Sequence, residues 1–180
     1  MRSDGGLPGP FNAWFYLPEP VAEAHDQLGQ VQRFSTAHLP KDLKEIAILT
    51  VGVHFRCSVE SWAHARVAEK AGVDAAVIAA LVAGTPPPFP EQRGGDDAGA
   101  AQRVIHSFVS ELLATNRVSD ESYGAAFIAL GKSHEAMAEL AGSVGHCKHT
   151  APRPLPPHPA HTPPPLPPQL DFWGPVCLRD

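Results

Sequence analysis

The sequence predicts an all-α domain followed by a proline-rich segment, and three observations lead there. Between residues 21 and 144, apolar residues recur every three or four positions in one segment after another, the spacing that gathers side chains along one side of a helix. Glycine, proline, serine and aspartate interrupt those segments where helices would start and stop. Alternation with a period of two, the mark of a half-buried strand, is found nowhere.

In order along the chain, residues 1–12 are rich in Gly and Pro and predict an extended lead-in. The aromatic group Trp14, Phe15 and Tyr16 predicts a segment packed onto the domain. A first helix is expected from Val21 to Ala37, with Leu28 and Val31 turned inward. Leu39-Pro40 breaks it, because a proline disfavours the helical region for the residue before it and suits the first turn of the next helix. The second helix, about Pro40 to Phe55, is apolar nearly all round beyond Glu45, which predicts burial on most sides. A third runs to Ala71, where Gly72 ends it, and Asp74 is placed to cap a short fourth carrying Val77, Ile78, Leu81 and Val82. Gly84 and Pro86–Pro88 stop that one, and residues 85–97 are a loop by composition. Ala101, Val104, Ile105, Phe108, Leu112 and Leu113 mark a strongly amphipathic helix. Ser119 can cap its successor, whose stripe is Tyr123, Ala126, Phe127 and Leu130 and whose first turn holds Asp120 and Glu121, where the dipole favours them. Met137, Leu140, Ala141 and Val144 belong to the last helix. The expectation is one compact helical domain of about six helices over residues 1–146, with a disordered proline-rich tail over 147–180.

Composition narrows the function classes. At 180 residues the chain suits one domain with a sizeable core. Its formal charge of −5 gives no electrostatic case for nucleic acid or for an anionic membrane surface. Cys57, Cys147 and Cys177 are too few and too scattered for a disulfide framework or a zinc site, which points to a reducing, cytoplasmic setting. The N-terminus lacks a signal-type apolar core, and Ile46 to Val53 is far too short to span a bilayer.

The stretch Glu45 to His64, EIAILTVGVHFRCSVESWAH, holds the reactive candidates. At 100° per residue Cys57, Glu60, His64, Val67, Ala68 and Ala71 fall on one stripe, the side a helix turns toward a core. Glu60 and His64, at i and i+4, are neighbours that can hydrogen-bond. The bland alternative is a surface pair contributing roughly 0.2–0.5 kcal/mol. Glu45 lies on the face of Leu49 and Gly52, where a carboxylate needs a partner, and a polar group on the next helix would serve. No pair of histidines has metal-ligand spacing, and His54 and His106 are expected to be structural or solvent-facing.

The run LPKDLKEIAILTVGVHFRCSVESWAHARVAEKAGV resembles the carboxymuconolactone decarboxylase family, which shares its helical fold with the alkylhydroperoxidase D-like proteins. The likeness extends from about Gly6 to His146 and is most specific over positions 40–73. The peroxidase branch carries a Glu, a CxxC pair and a His, which fall here on Glu45, Cys57, position 60 and His64. Position 60 is Glu60, so the second thiol is missing, and Glu60 followed by Ala63-His64 looks like the decarboxylase branch.

The resemblance implies a cofactor-free enzyme, forming homo-oligomers, that removes CO₂ from a small lactone acid. Loss of CO₂ leaves an extended enolate that must be stabilised and protonated. An imidazole suits both tasks because it holds and releases a proton near neutrality. His64 is the candidate acid, Glu60 its orienting partner or base, and Glu45 the carboxylate completing a relay. An acidic substrate calls for cations. Arg33, Arg56 and Arg66 are available, and Arg56, at the junction before Cys57, is the candidate substrate-binding residue. Homo-oligomerisation also follows from a central helix apolar on nearly every side in so small a domain.

Two alternatives stand beside this expectation. One is an alkylhydroperoxidase-like antioxidant activity using Cys57, for which Cys147 could act as resolving thiol only if the end of the last helix came close. The other is a non-catalytic helical scaffold. In residues 151–170, ten of the chain's 20 prolines exclude helix and sheet. The run Arg153 to Pro159 looks like the ligand of a proline-motif-binding partner. A second account of the same segment is a coding sequence that has left the family's reading frame, since family members continue there with apolar helix.

Overall fold

The computed structural model describes residues 17–35, 37–90 and 98–150. The expected packing of Trp14, Phe15 and Tyr16, and the proline-rich segment from residue 151 on, lie outside the described residues. Among the described residues every regular element is helical: α1 (Glu19–Gln30) continues into one π-helical turn (Val31–Ser35), followed by α2 (Lys41–His54), α3 (Ser58–Lys70), α4 (Ala75–Ala83), α5 (Ala98–Thr115), α6 (Asp120–Ala129) and α7 (His134–Thr150). The described residues form seven α-helices where about six were expected. α7 runs past His146 through Cys147 to Thr150, because Leu140, Val144 and Cys147 continue one buried face at i+4 and i+3 spacing.

α2 is the axis of the domain. Every residue from Leu43 to Gly52 is buried, and α3, α4, α5 and α7 all pack on it. On one side Leu43, Ala47, Ile48 and Val51 meet Ile105, Phe108 and Val109 of α5, and Met137, Leu140 and Val144 of α7. On the other, Ile46 and Leu49 meet Ala68 of α3, Val77, Ile78 and Leu81 of α4, and Phe89. Ile46 and Leu49 have no exposed surface, a burial that stabilises by about 1.5–3 kcal/mol for each such side chain. The chain therefore covers the apolar circumference of α2 by itself, and α2 supplies no reason for a second copy.

The boundaries follow local chemistry. The Asp74 carboxylate accepts from the backbone N–H of Ala76 at 2.7 Å, capping α4, and Gly84 closes that helix in the left-handed region at φ 68°. The Ser119 hydroxyl accepts from the N–H of Ser122 at 3.2 Å and caps α6. Between α2 and α3 the chain reverses in a tight turn. Arg56 takes φ 54°, and the N–H of Cys57 reaches back to the carbonyl of Gly52 at 2.8 Å, the six-to-one bond of a Schellman turn. Glu60 and His64 are thereby folded back alongside α2.

α1 departs from expectation. Leu28 and Val31, expected inward, are 46% and 47% exposed, and neither α1 nor the π turn buries any residue. The face turned to α7 is instead polar or small. His25 stacks on His149 with ring centroids 4.6 Å apart, a side chain on Gly29 would meet the His146 ring at 3.1 Å, and the Ser143 hydroxyl donates to Oε1 of Gln32 at 3.4 Å. Small and polar groups allow the close approach, and the apolar stripe of the helix is left outside.

Candidate functional site

Glu45 reaches the site from the first half of α2, while Glu60 and His64 come from the first two turns of α3. Gly52 sets the closeness of the two helices: a Cβ there would meet the Cβ of Glu60 at 3.2 Å and Oγ of Ser61 at 3.3 Å. The inward face of α3 is Glu60, Ser61, Ala63, His64 and Ala68. Val67, expected on that stripe, is exposed, because the crossing with α2 rotates the buried arc toward Ser61 and Ala63.

His64 is 2% exposed and bracketed by carboxylates. Its Nδ1 lies 2.7 Å from Oε2 of Glu45, and its Nε2 lies 3.3 Å from Oε2 of Glu60. An ionised carboxylate only accepts, so the bond to Glu45 places a proton on Nδ1. In the neutral ring Nε2 is then an acceptor, and the Arg33 guanidinium, 3.0 Å away, donates to it. In the protonated ring Nε2–H faces Glu60 instead. Burial alone pushes the imidazole toward its neutral form, but Glu45 and Glu60 outweigh burial and raise its pKa above the ordinary 6.5, with Arg33 opposing them. Glu60 is pushed up by burial and pulled down more strongly by His64 and Arg33, ending below its ordinary value.

Two cations and a second imidazole complete the cluster, and sequence reasoning did not place them. Arg33, one of three arginines available by sequence, comes from the π turn, 31 residues before His64. Lys44 is 6% exposed beside Glu45, with its pKa lowered by burial, and its Nζ donates to the carbonyl of Gln32 on the same π turn at 3.3 Å. His146 of α7 is held below its ordinary value by burial and by the charge of Arg33. Arg56, the expected substrate-binding residue, is exposed at the α2–α3 turn, where its backbone has the structural role. His106 is half-buried with its ring 5.5 Å from that of Phe89, and His54 is exposed against Phe55.

Cys57, at the N-cap of α3, and Cys147 of α7 are both buried. They lie within electrostatic range of one another and of Glu60. Burial pushes both thiols up and keeps them protonated, the reverse of the lowered pKa that marks a reactive cysteine. Among the described residues no cluster of three or more His, Cys, Asp or Glu side chains is arranged to hold a metal ion, and no helix is long and apolar enough to cross a membrane.

Neither family models, nor curated proteins, nor solved structures yield a match to this chain. The arrangement of Glu45, His64 and Glu60 is chemically able to move a proton: one imidazole, oriented by a carboxylate at Nδ1, can offer or withdraw a proton at Nε2 beside a second carboxylate.

Proposed function

We propose that this chain is a carboxymuconolactone decarboxylase-like lyase with an alkylhydroperoxidase D-like fold, acting on a small lactone acid without a cofactor. The observation that carries the proposal is the buried bracket Glu45–His64–Glu60, in which both nitrogens of one imidazole face carboxylates. In the reaction the substrate's C–C bond to its carboxylate breaks, CO₂ leaves, and the electron pair spreads into the ring carbonyl as an enolate. His64 in its protonated form delivers a proton from Nε2 to carbon. Glu45 and Glu60 stabilise the cationic ring before transfer, and a proton from water restores it. The enolate's own carbonyl is the electron sink, so this chemistry calls for no cofactor. Homo-oligomerisation and a cytoplasmic setting go with the same proposal.

The thiol alternative has one supporting observation, the nearness of Cys147 to Cys57, and one against it, the burial that keeps both thiols protonated. Incubation with γ-carboxymuconolactone, followed by ultraviolet absorbance, separates the two. The lyase consumes the lactone with wild type and fails with His64→Ala, whereas Cys57→Ser retains activity. A folded wild type that leaves the lactone intact would remove this substrate.

A further inference from the structure

The site as it stands is closed. His64, Glu45 and Glu60 are all buried, and the group covering Nε2 is the guanidinium of Arg33. Arg33 arrives on an arm, α1 and its π turn, built unlike the rest of the domain. No residue of the arm is buried, and its contacts to α7 run through His25, Gly29 and Gln32, without an apolar core. A π turn widens the helix at the point where Arg33 leaves it, a local irregularity frequent at functional sites. A segment with so little buried apolar surface opens at low free-energy cost compared with α2 or α5. A helical segment with no buried residue therefore carries the side chain that reaches an imidazole only 2% exposed.

A guanidinium is not a natural terminal partner for an imidazole. Its planar fork matches a carboxylate in two parallel N–H···O bonds, a geometry that a single ring nitrogen does not offer. Building on the lyase reading above, we infer that Arg33 is the substrate-recognition residue. It leaves Nε2 of His64 to bind the carboxylate of a small organic acid, and the arm that carries it is the gate to the site. With Arg33 withdrawn, Glu60, already 3.3 Å from Nε2, accepts from it once the ring is protonated. Binding of the acid thus loads the proton that the reaction consumes. The charged groups acting on the imidazole are Glu45 on α2, Glu60 on α3 and Arg33 on the π turn; around them, Lys44 of α2 acts on Glu45, and Cys57 at the N-cap of α3 and His146 and Cys147 of α7 act on Glu60. Arg33 lowers the proton affinity of His64, so its withdrawal raises it.

Succinate is a suitable probe, because it presents carboxylates and cannot turn over. In the full chain with ¹³C,¹⁵N-labelled histidine, a pH titration of the His64 resonances is recorded with and without succinate, for wild type, Arg33→Gln and Arg33→Lys. Arg33 is half-buried on an arm without core residues, so both variants are expected to fold. The expected results are saturable binding to wild type with an upward shift of the His64 midpoint, and an upward-shifted midpoint in Arg33→Gln even without succinate. Succinate affinity should fall about tenfold or more in Arg33→Gln, with part regained in Arg33→Lys. Equal affinity for wild type and Arg33→Gln, no saturable binding to wild type, or a His64 midpoint unmoved by Arg33→Gln overturns the inference. Failure of γ-carboxymuconolactone turnover alone would instead strike the lyase reading, since binding and titration are read without turnover.

Discussion

Nδ1 of His64 lies 2.7 Å from Oε2 of Glu45, joining α3 to α2 across nineteen residues of sequence inside the protein. The bond fixes which ring nitrogen carries the resident proton and leaves Nε2 as the atom that gives or takes a proton in the proposed reaction. Replacing Glu45 with Gln keeps an acceptor for Nδ1–H but removes the charge that stabilises the imidazolium. The His64 midpoint, read by NMR titration, is expected to fall in Glu45→Gln. Proton-transfer turnover should drop by a factor on the order of 10²–10⁴, the usual contribution of a positioned acid or base. A midpoint that stays where wild type has it would mean that Glu45 does not stabilise the charged ring.

The approach of α3 to α2 at Gly52 admits a methyl group only if the two helices give by a few tenths of an ångström. A Cβ there would stand 3.2 Å from Cβ of Glu60 and 3.4 Å from the backbone N of Ser61, neither of which is the free end of a flexible chain. Gly52→Ala is expected to destabilise by about 1–3 kcal/mol, the range for overpacking, and to move Glu60 relative to His64. Urea denaturation measures the first effect and the His64 midpoint the second. A variant as stable as wild type with an unchanged titration would show that the helices can separate without disturbing the pair.

Much of this was legible in the sequence because it is local. Asp74 and Ser119 as caps, Gly72 and Gly84 as stops, and the i, i+4 pair Glu60–His64 are all set by neighbours within a turn or two. The unbroken apolar run of α2 announced its central position, and Glu45 within it required a partner that proved to be on α3. Arg33, Lys44 and His146 were not placed, since each joins the cluster only through tertiary contacts. Lys44 could have been suspected: it sits directly before Glu45 in the helix that reads as buried on most sides. The orientation of α1 was missed because period alone cannot tell which face a helix buries. Here the small, polar face formed by Ala22, His25, Gly29 and Gln32 goes inward and the apolar stripe does not.

Two histidines in one cluster carry opposite signs of pH dependence. Burial works against the charged form of His64, but Glu45 and Glu60 prevail and hold its pKa above the ordinary 6.5. Its contribution to stability is complete below about 6.5 and is lost as pH rises through the folded-state value. Glu60, held below its ordinary 4.5 by His64 and Arg33 against the effect of burial, contributes fully above about 4.5 and loses that contribution as pH falls through its folded value. His146 is depressed below 6.5 by burial and Arg33, so the folded state resists its protonation and is penalised only below about 6.5. Urea midpoints across pH should show wild type exceeding His64→Gln most between about 4.5 and 6.5, with the difference shrinking as pH rises further. His146→Gln should gain on wild type toward the acid side. The same sign for both variants would contradict the assignment of which ring carries the proton.

Glu139 of α7 holds the segment between the arm and α2. One of its carboxylate oxygens accepts from the N–H groups of Leu39 at 2.7 Å and His38 at 3.0 Å, and the other from the N–H of Ala37 at 3.1 Å, with Nδ1 of His38 also 3.0 Å away. Those three N–H groups precede α2, outside its ladder, and Leu39 is buried, so nothing in regular structure replaces the carboxylate. The bonds hold the Glu139 pKa below its ordinary value despite the opposing effect of desolvation. A hydrogen bond to a charged group contributes about 1.5 kcal/mol at the low end, equivalent to roughly tenfold in an opening equilibrium. Glu139→Ala should therefore speed amide exchange at Ala37, His38 and Leu39 by about tenfold and leave α5 amides unchanged, while Glu139→Gln, which keeps one acceptor oxygen, should fall between. If exchange at Leu39 were as slow in Glu139→Ala as in wild type, the segment would be held by the packing of Leu39 against α2 and α7 rather than by the carboxylate. The arm would then be anchored through its apolar end alone.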